Sequence, residues 1–160
     1  MRLVIAAIGR LKDEGERALI ARYMKRVASG RVVGISPVII QELAESRADE
    51  ANARRADEAA RLLYATSDCD LRVVLDERGD MMSSVAFAQY LAARRDDGVK
   101  SAAFLIGGPD GHPAELMDRA THMSLSLGPM TLPHGLARVV LIEQVYRAIT
   151  ILSGHPYHRA

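Results

Sequence analysis

Three arginines, three histidines and two tyrosines fall in residues 134–160, against a single glutamate, Glu143. The run closes on His155-Pro156-Tyr157-His158-Arg159. An imidazole takes up or releases a proton near neutral pH. Guanidinium groups grip phosphates, and aromatic rings stack on unpaired bases. This mixture is suited to single-stranded nucleic acid, although a terminus of this kind is also a common place for a chain to fray. Metal binding is the rival use of the histidines. His155 and His158 are three apart, but no cysteine or carboxylate stands beside them, and His112, His122 and His134 lack spacing of the H-E-x-x-H kind. No metal site is expected.

Three further segments have the composition of ligand loops. Leu75-Asp76 ends one apolar run, and Ile106 passes directly into Gly107-Gly108-Pro109-Asp110-Gly111. The third is Leu127-Gly128-Pro129-Met130-Thr131-Leu132-Pro133. Glycines let a backbone approach a ligand closely or take positive φ. The same G-G-P-D-G is, on its own, simply a good turn sequence. No G-x-G-x-x-G follows a strand and no G-x-x-x-x-G-K-[ST] occurs, which disfavours dinucleotide and ordinary nucleoside triphosphate binding. G-x-S-x-G is absent too, so a serine hydrolase is disfavoured. Cys69, the lone cysteine, sits between Asp68 and Asp70, away from any base, and reads as incidental rather than nucleophilic.

The elements that must position these groups follow from periodicity. Strands are predicted over 3–8, 32–40, 71–76, 102–106 and 123–127, with Pro37 pushing the second towards a sheet edge. Helices are predicted over 14–28, from near Ser46 to 61, after a Ser83 or Ser84 cap with Phe87, Tyr90 and Leu91 on one face, over 114–120, and over 135–153. Residues 77–80 read as a turn. The mixed charges of 41–61 read as a solvated helix face. Alternation of strand and helix implies an α/β fold with a mainly parallel sheet and helices on both faces. Ligands of such sheets bind beyond the carboxyl ends of the strands, where all three loops above lie. With no repeat, linker or low-complexity segment, residues 1–160 read as one domain.

The last helix is apolar on nearly all sides, through Leu136, Val139, Val140, Leu141, Ile142, Val145, Ile149, Ile151 and Leu152. A helix of that kind is buried all round. A second copy of the chain would cover its outer side; the alternative is burial within its own chain. Net charge is only +1, with 49% apolar and 26% charged residues, so any nucleic-acid contact must come from a local patch. The apolar run at the N-terminus is too short to span a bilayer and lacks a signal cleavage site, so a cytoplasmic protein without membrane attachment is expected.

Five motifs then occur in a recognisable order: L-D-E-R-G at 75–79, F-L-I-G-G-P-D-G at 104–111, M-T-L-P-H at 130–134, E-Q-V-Y-R-A at 143–148 and H-P-Y-H-R at 155–159. In these the chain resembles the RlmH family, SPOUT-type pseudouridine N3-methyltransferases of 23S ribosomal RNA. The resemblance covers essentially the whole chain and is densest after Leu71. It implies a SPOUT fold whose C-terminal part forms a trefoil knot, a homodimer, and S-adenosylmethionine as cofactor. Carried over by motif, Leu75, Gly107, Leu127, Gly128, Pro129, Met130, Thr131 and Leu132 are expected to contact that cofactor. Two departures stand out: Asp110 replaces a frequent glutamate, and Gly128-Pro129 is less typical of the knot loop. For the chemistry, His155 and His158 are candidates to accept the N3 proton. Arg138, Tyr157 and Arg159 are assigned to positioning RNA or stabilising negative charge on the base. The small net charge points to docking on assembled ribosomes rather than affinity for naked RNA.

Overall fold

The computed structural model describes residues 1–114, 116 and 123–157. It opens with β1 (Arg2–Ile8), buried along nearly its whole length as its unbroken apolar run requires. Helix α1 (Glu14–Val27) starts at Asp13, whose carboxylate accepts from the Glu16 amide at 2.8 Å. Acidic residues occupy its first turn and Lys25 and Arg26 its last, matching the helix dipole.

The second strand is displaced from its predicted span. Residues Ala28–Val33 form a 3-10 helix closed by Gly34 at φ +71°, and β2 (Val38–Leu43) begins only after the cis Ser36-Pro37 bond. Pro37 therefore sets the boundary rather than sitting inside the strand. Helix α2 (Ala51–Ala65) also starts later than expected. Ser46 does not cap it; its amide instead donates to Glu58 Oε1 at 3.0 Å. The segment ahead of α2 is tied down by side chains of the helix itself: Arg61 donates to the Ala44 carbonyl at 2.8 Å and Arg54 to that of Asp49 at 2.6 Å.

Strand β3 (Leu71–Met81) contains the four residues that read as a turn. Leu75 and Asp80 both pair with Leu125, so the chain bulges between them. Gly79 closes the bulge, because a Cβ there would lie 2.6 Å from Ser124 Oγ and 2.8 Å from the Leu125 backbone. Helix α3 (Ser84–Asp96) is capped by Ser83, which accepts from the Ala86 amide. Strand β4 (Ser101–Ile106) is fully buried, and β5 (Met123–Ser126) is short. The helix expected over 114–120 lies almost entirely outside the described residues.

The five described strands are all parallel, in the order β2-β1-β4-β3-β5, with β2 at an edge. Alternate residues face alternate layers. Leu3, Ile5, Val73 and Phe104 pack against α1, α3 and the last helix, α4 (His134–Leu152). Val4, Ala6, Val74 and Leu105 pack against Ala59 and Leu62 of α2. The inner side of α4, through Leu141, Ile142, Val145, Ala148 and Ile149, is buried within this chain between α1 and α3. Its other side, with Leu136, Val139 and Val140, is left partly open. Gly154 at φ +67° ends α4, with the Gly154 and His155 amides donating to the Ile151 and Thr150 carbonyls. Among the described residues no helix is long and apolar enough to cross a membrane.

Candidate active site

The carboxyl ends of β3, β4 and β5 open into one cleft of ≈ 710 Å³, closed by the first turns of α4 and by Arg55 of α2. A volume of this size suits a nucleoside-sized ligand. Its walls are the three loops: the bulge of β3, the turn after β4, and the segment linking β5 to α4. Apolar surface comes from Leu75, Leu125, Leu127 and Leu132.

Polar ties hold each wall. In the β3 bulge, the Arg78 guanidinium pairs with Asp76 at 3.0 Å, and this hydrogen bond holds the Asp76 carboxyl below its usual range. Thr131 Oγ1 donates to Glu77 Oε2 at 2.8 Å, which links the β3 bulge to the β5–α4 segment. After β4, Gly111 takes φ +77° and its amide donates to the Gly108 carbonyl. Arg54 grips Asp110 through Nε at 2.6 Å and Nη2 at 3.3 Å, and so ties the loop to α2. Gly107 sits where a Cβ would meet His112 Cε1 at 3.1 Å and Gly111 backbone at 3.2 Å. A Cβ on Gly108 would lie 2.7 Å from Glu58 Oε2. The His112 imidazole is buried, which pushes its pKa down, partly offset by Asp76 and by a hydrogen bond to the Leu105 backbone. In the third wall, Gly128 takes φ +136° and its amide donates to Ser126 Oγ.

Of the eight residues expected at the cofactor, seven line this cleft: Leu75, Gly107, Leu127, Gly128, Met130, Thr131 and Leu132. Pro129 is exposed and is not among the lining residues. Of the five expected in the chemistry, the three that are described, Arg138, His155 and Tyr157, do not line it. Arg138 is 1% exposed. It donates to the Ile8 carbonyl, to the Gly9 carbonyl at 2.8 Å and to Glu42 Oε1 at 3.0 Å. Its assignment to RNA contact gives way to an internal one, because a buried guanidinium bound to strand-end carbonyls cannot reach a substrate. His155 is exposed past the end of α4, and its Nδ1 accepts from the Tyr157 amide. Tyr157 folds back against α4: its hydroxyl donates to Glu143 Oε1 at 3.2 Å, its ring lies 4.7 Å from that of Tyr146, and Arg147 stands 5.0 Å above it. Burial and its neighbours Tyr23 and Glu143 push the phenol up to about 12. His158 and Arg159 lie outside the described residues. His134 lines the cleft while His155 follows the other end of the 19-residue helix, about 28 Å away along its axis.

Sequence reasoning missed Arg54, Arg55, Glu58 and His112. The first three belong to the stretch read as a solvated face, yet Glu58 is 3% exposed. Their signal was an arginine pair placed one turn before a glutamate in an alanine-rich helix. His112 had only its place beside the glycine turn. Cys69 is buried, and burial pushes its thiol up, away from nucleophilic use. Among the described residues no three histidine, cysteine or carboxylate side chains gather as metal ligands would.

Comparison with known proteins adds a family. A profile described as "Predicted SPOUT methyltransferase" matches residues 1–158. The chain is 48% identical over 160 residues to the ribosomal RNA large subunit methyltransferase H of Rhizobium leguminosarum, covering 99% of each. It is 49% identical over 161 residues to the protein of the same name from Rhodopseudomonas palustris, covering the whole of both. The fold is similar to that of a probable methylase family protein from Haemophilus influenzae, with TM-score 0.54 and 17% identity, covering 99% of this chain and 70% of the other. It is also similar to a methylase family structure from Neisseria gonorrhoeae, with TM-score 0.51 and 15% identity over 91% of this chain and 80% of that one.

Proposed function

This chain belongs to the SPOUT methyltransferase family, and from that membership we propose that it methylates N3 of a pseudouridine in 23S rRNA of the large ribosomal subunit. S-adenosylmethionine is the methyl donor, the assembled ribosome in the cytoplasm the substrate, and the working unit a homodimer with a C-terminal trefoil knot. The observation that carries the reading is the full-length match to large-subunit rRNA methyltransferases, together with a cleft that gathers all three loops of the expected cofactor site.

The residues present fit that cofactor. Gly107 leaves open a position that a Cβ would crowd, leucines offer flat apolar surface for an adenine ring, and Arg55 supplies a cation. Bound there, S-adenosylmethionine supplies an activated methyl group. Leu75, Leu127 and Leu132 exclude water from it and hold its ring, while the backbone of 107–111 and 127–132 offers hydrogen bonds. What remains for the protein is alignment of the base and acceptance of the N3 proton. His155 or His158 takes the proton, with Tyr157 and Arg159 placing the RNA. Since the 19-residue α4, about 28 Å long, stands between the cleft and the described start of the tail, residues 155–157, we assign the tail that completes a cleft to the second copy.

Mass mapping of rRNA modifications in a strain lacking the gene, with and without its restoration, tests the reading. One methyl group on one 23S pseudouridine should vanish and return. A change at a different base would keep the fold and cofactor but replace the substrate, and an unchanged map would overturn the reading.

A further inference from the structure

Most charges around the cleft already have partners. Asp76 is paired with Arg78, Asp110 with Arg54, and Glu77 accepts from Thr131. Arg55 is different. It lines the cleft from α2, its Nε is buried, and it has no hydrogen-bond or ion-pair partner among the described residues. The carboxylate whose charge it reaches, Asp110, is already held in a two-point grip by the neighbouring Arg54. A guanidinium left this way, in a half-buried wall, lacks a planar anion.

Resting on the cofactor reading above, we propose that Arg55 binds the carboxylate of the amino-acid part of S-adenosylmethionine, so that α2 reads the end of the cofactor opposite its adenine. A carboxylate matches the fork of a guanidinium in two parallel N–H···O bonds, and burial of Nε favours a small anion inside the cleft over a phosphate at its rim. Arg54 plays a different part, since its two-point grip keeps the Asp110 carboxylate from closing onto Arg55. Arg55 is thereby a specificity residue, favouring ligands that keep the amino-acid group over the bare nucleoside.

The test compares three probes on the full-length protein: S-adenosylmethionine, S-adenosylhomocysteine and methylthioadenosine, which lacks the carboxylate. Arg55→Gln should weaken the first two by about tenfold or more, as loss of a charge-assisted pair implies, and leave methylthioadenosine unchanged. Arg55→Lys should recover part of the loss. Circular dichroism and Tm establish that both variants are folded. Equal weakening of all three probes would mean that Arg55 only shapes the loop, and unchanged affinities with weaker ribosome binding would mean that it meets RNA; either overturns the proposal. If the wild-type protein bound none of the probes, the cofactor reading itself would fall, a result distinct from an indifferent Arg55→Gln in a wild type that binds.

Discussion

Arg138 brings a full charge into the interior, and the surroundings answer it. Two carbonyls at the end of β1 accept from it, Glu42 pairs with it, and Glu16 and Glu45 add their fields. Removing such a group leaves buried acceptors and carboxylates unmatched, which costs about 3 kcal/mol or more. Arg138→Met should therefore lower Tm by roughly 10 °C for a chain of this size while leaving cofactor affinity of the folded protein intact. Calorimetry and titration check the two halves separately; a stable Arg138→Met protein with failed RNA binding would restore the substrate role. Sequence alone establishes that a charge on this helix must be paired or used, since burial of a lone charge is prohibitive. It does not distinguish the two, because the partners at Ile8, Gly9 and Glu42 are remote in the chain. The place of Leu75 and Gly107 in the cleft was legible for the opposite reason: each stands where a recognisable apolar run of the sequence ends.

Helix α4 shows what periodicity resolves and where it stops. Its span is close to the prediction, but an all-round apolar pattern leaves open which side meets the chain itself. Leu141, Ile142, Val145 and Ile149 face inward, whereas Leu136, at 42% exposure, and the partly open Val139 and Val140 form a stripe beside the cleft. An apolar hollow of ≈ 250 Å³ adjoins Val140, between α4 and the end of β3. On the dimer proposal that stripe is the contact. Leu136→Asp should then yield folded monomer, with the dimer dissociation constant raised at least about a hundredfold. Ile142→Asp should unfold the chain itself, because the charge enters a fully buried site. Sedimentation with circular dichroism separates these outcomes, and a Leu136→Asp protein that remains dimeric would move the interface elsewhere. Elements defined by side-chain ties were less legible. The late start of α2 depends on Arg54 and Arg61 reaching back to carbonyls, and the bulge of β3 on the close approach of Gly79 to β5. Neither signal is local.

At the scale of the whole molecule, the cleft and the first residues of the tail, 155–157, lie at opposite ends of one helix. The sequence offers both groups of candidate residues but not their separation, which depends on α4 running unbroken from His134 to Leu152. Among the described residues, one chain thus presents a cleft to which its own His155 and Tyr157 do not belong, and on the function proposed above the enzyme works only in pairs. Co-expression of two differently tagged chains tests this most directly. One carries Gly107→Val, which forces a branched side chain against His112 and Gly111, and the other lacks residues 155–160. Each homodimer should fold yet be inactive on ribosomes from a strain lacking the gene. Random pairing of equal amounts should restore about a quarter of wild-type methyl transfer, since half the dimers are mixed and each mixed dimer has one complete site. Purified mixed dimers that transfer no methyl group, or tail-deleted homodimers that keep full turnover, would contradict the account.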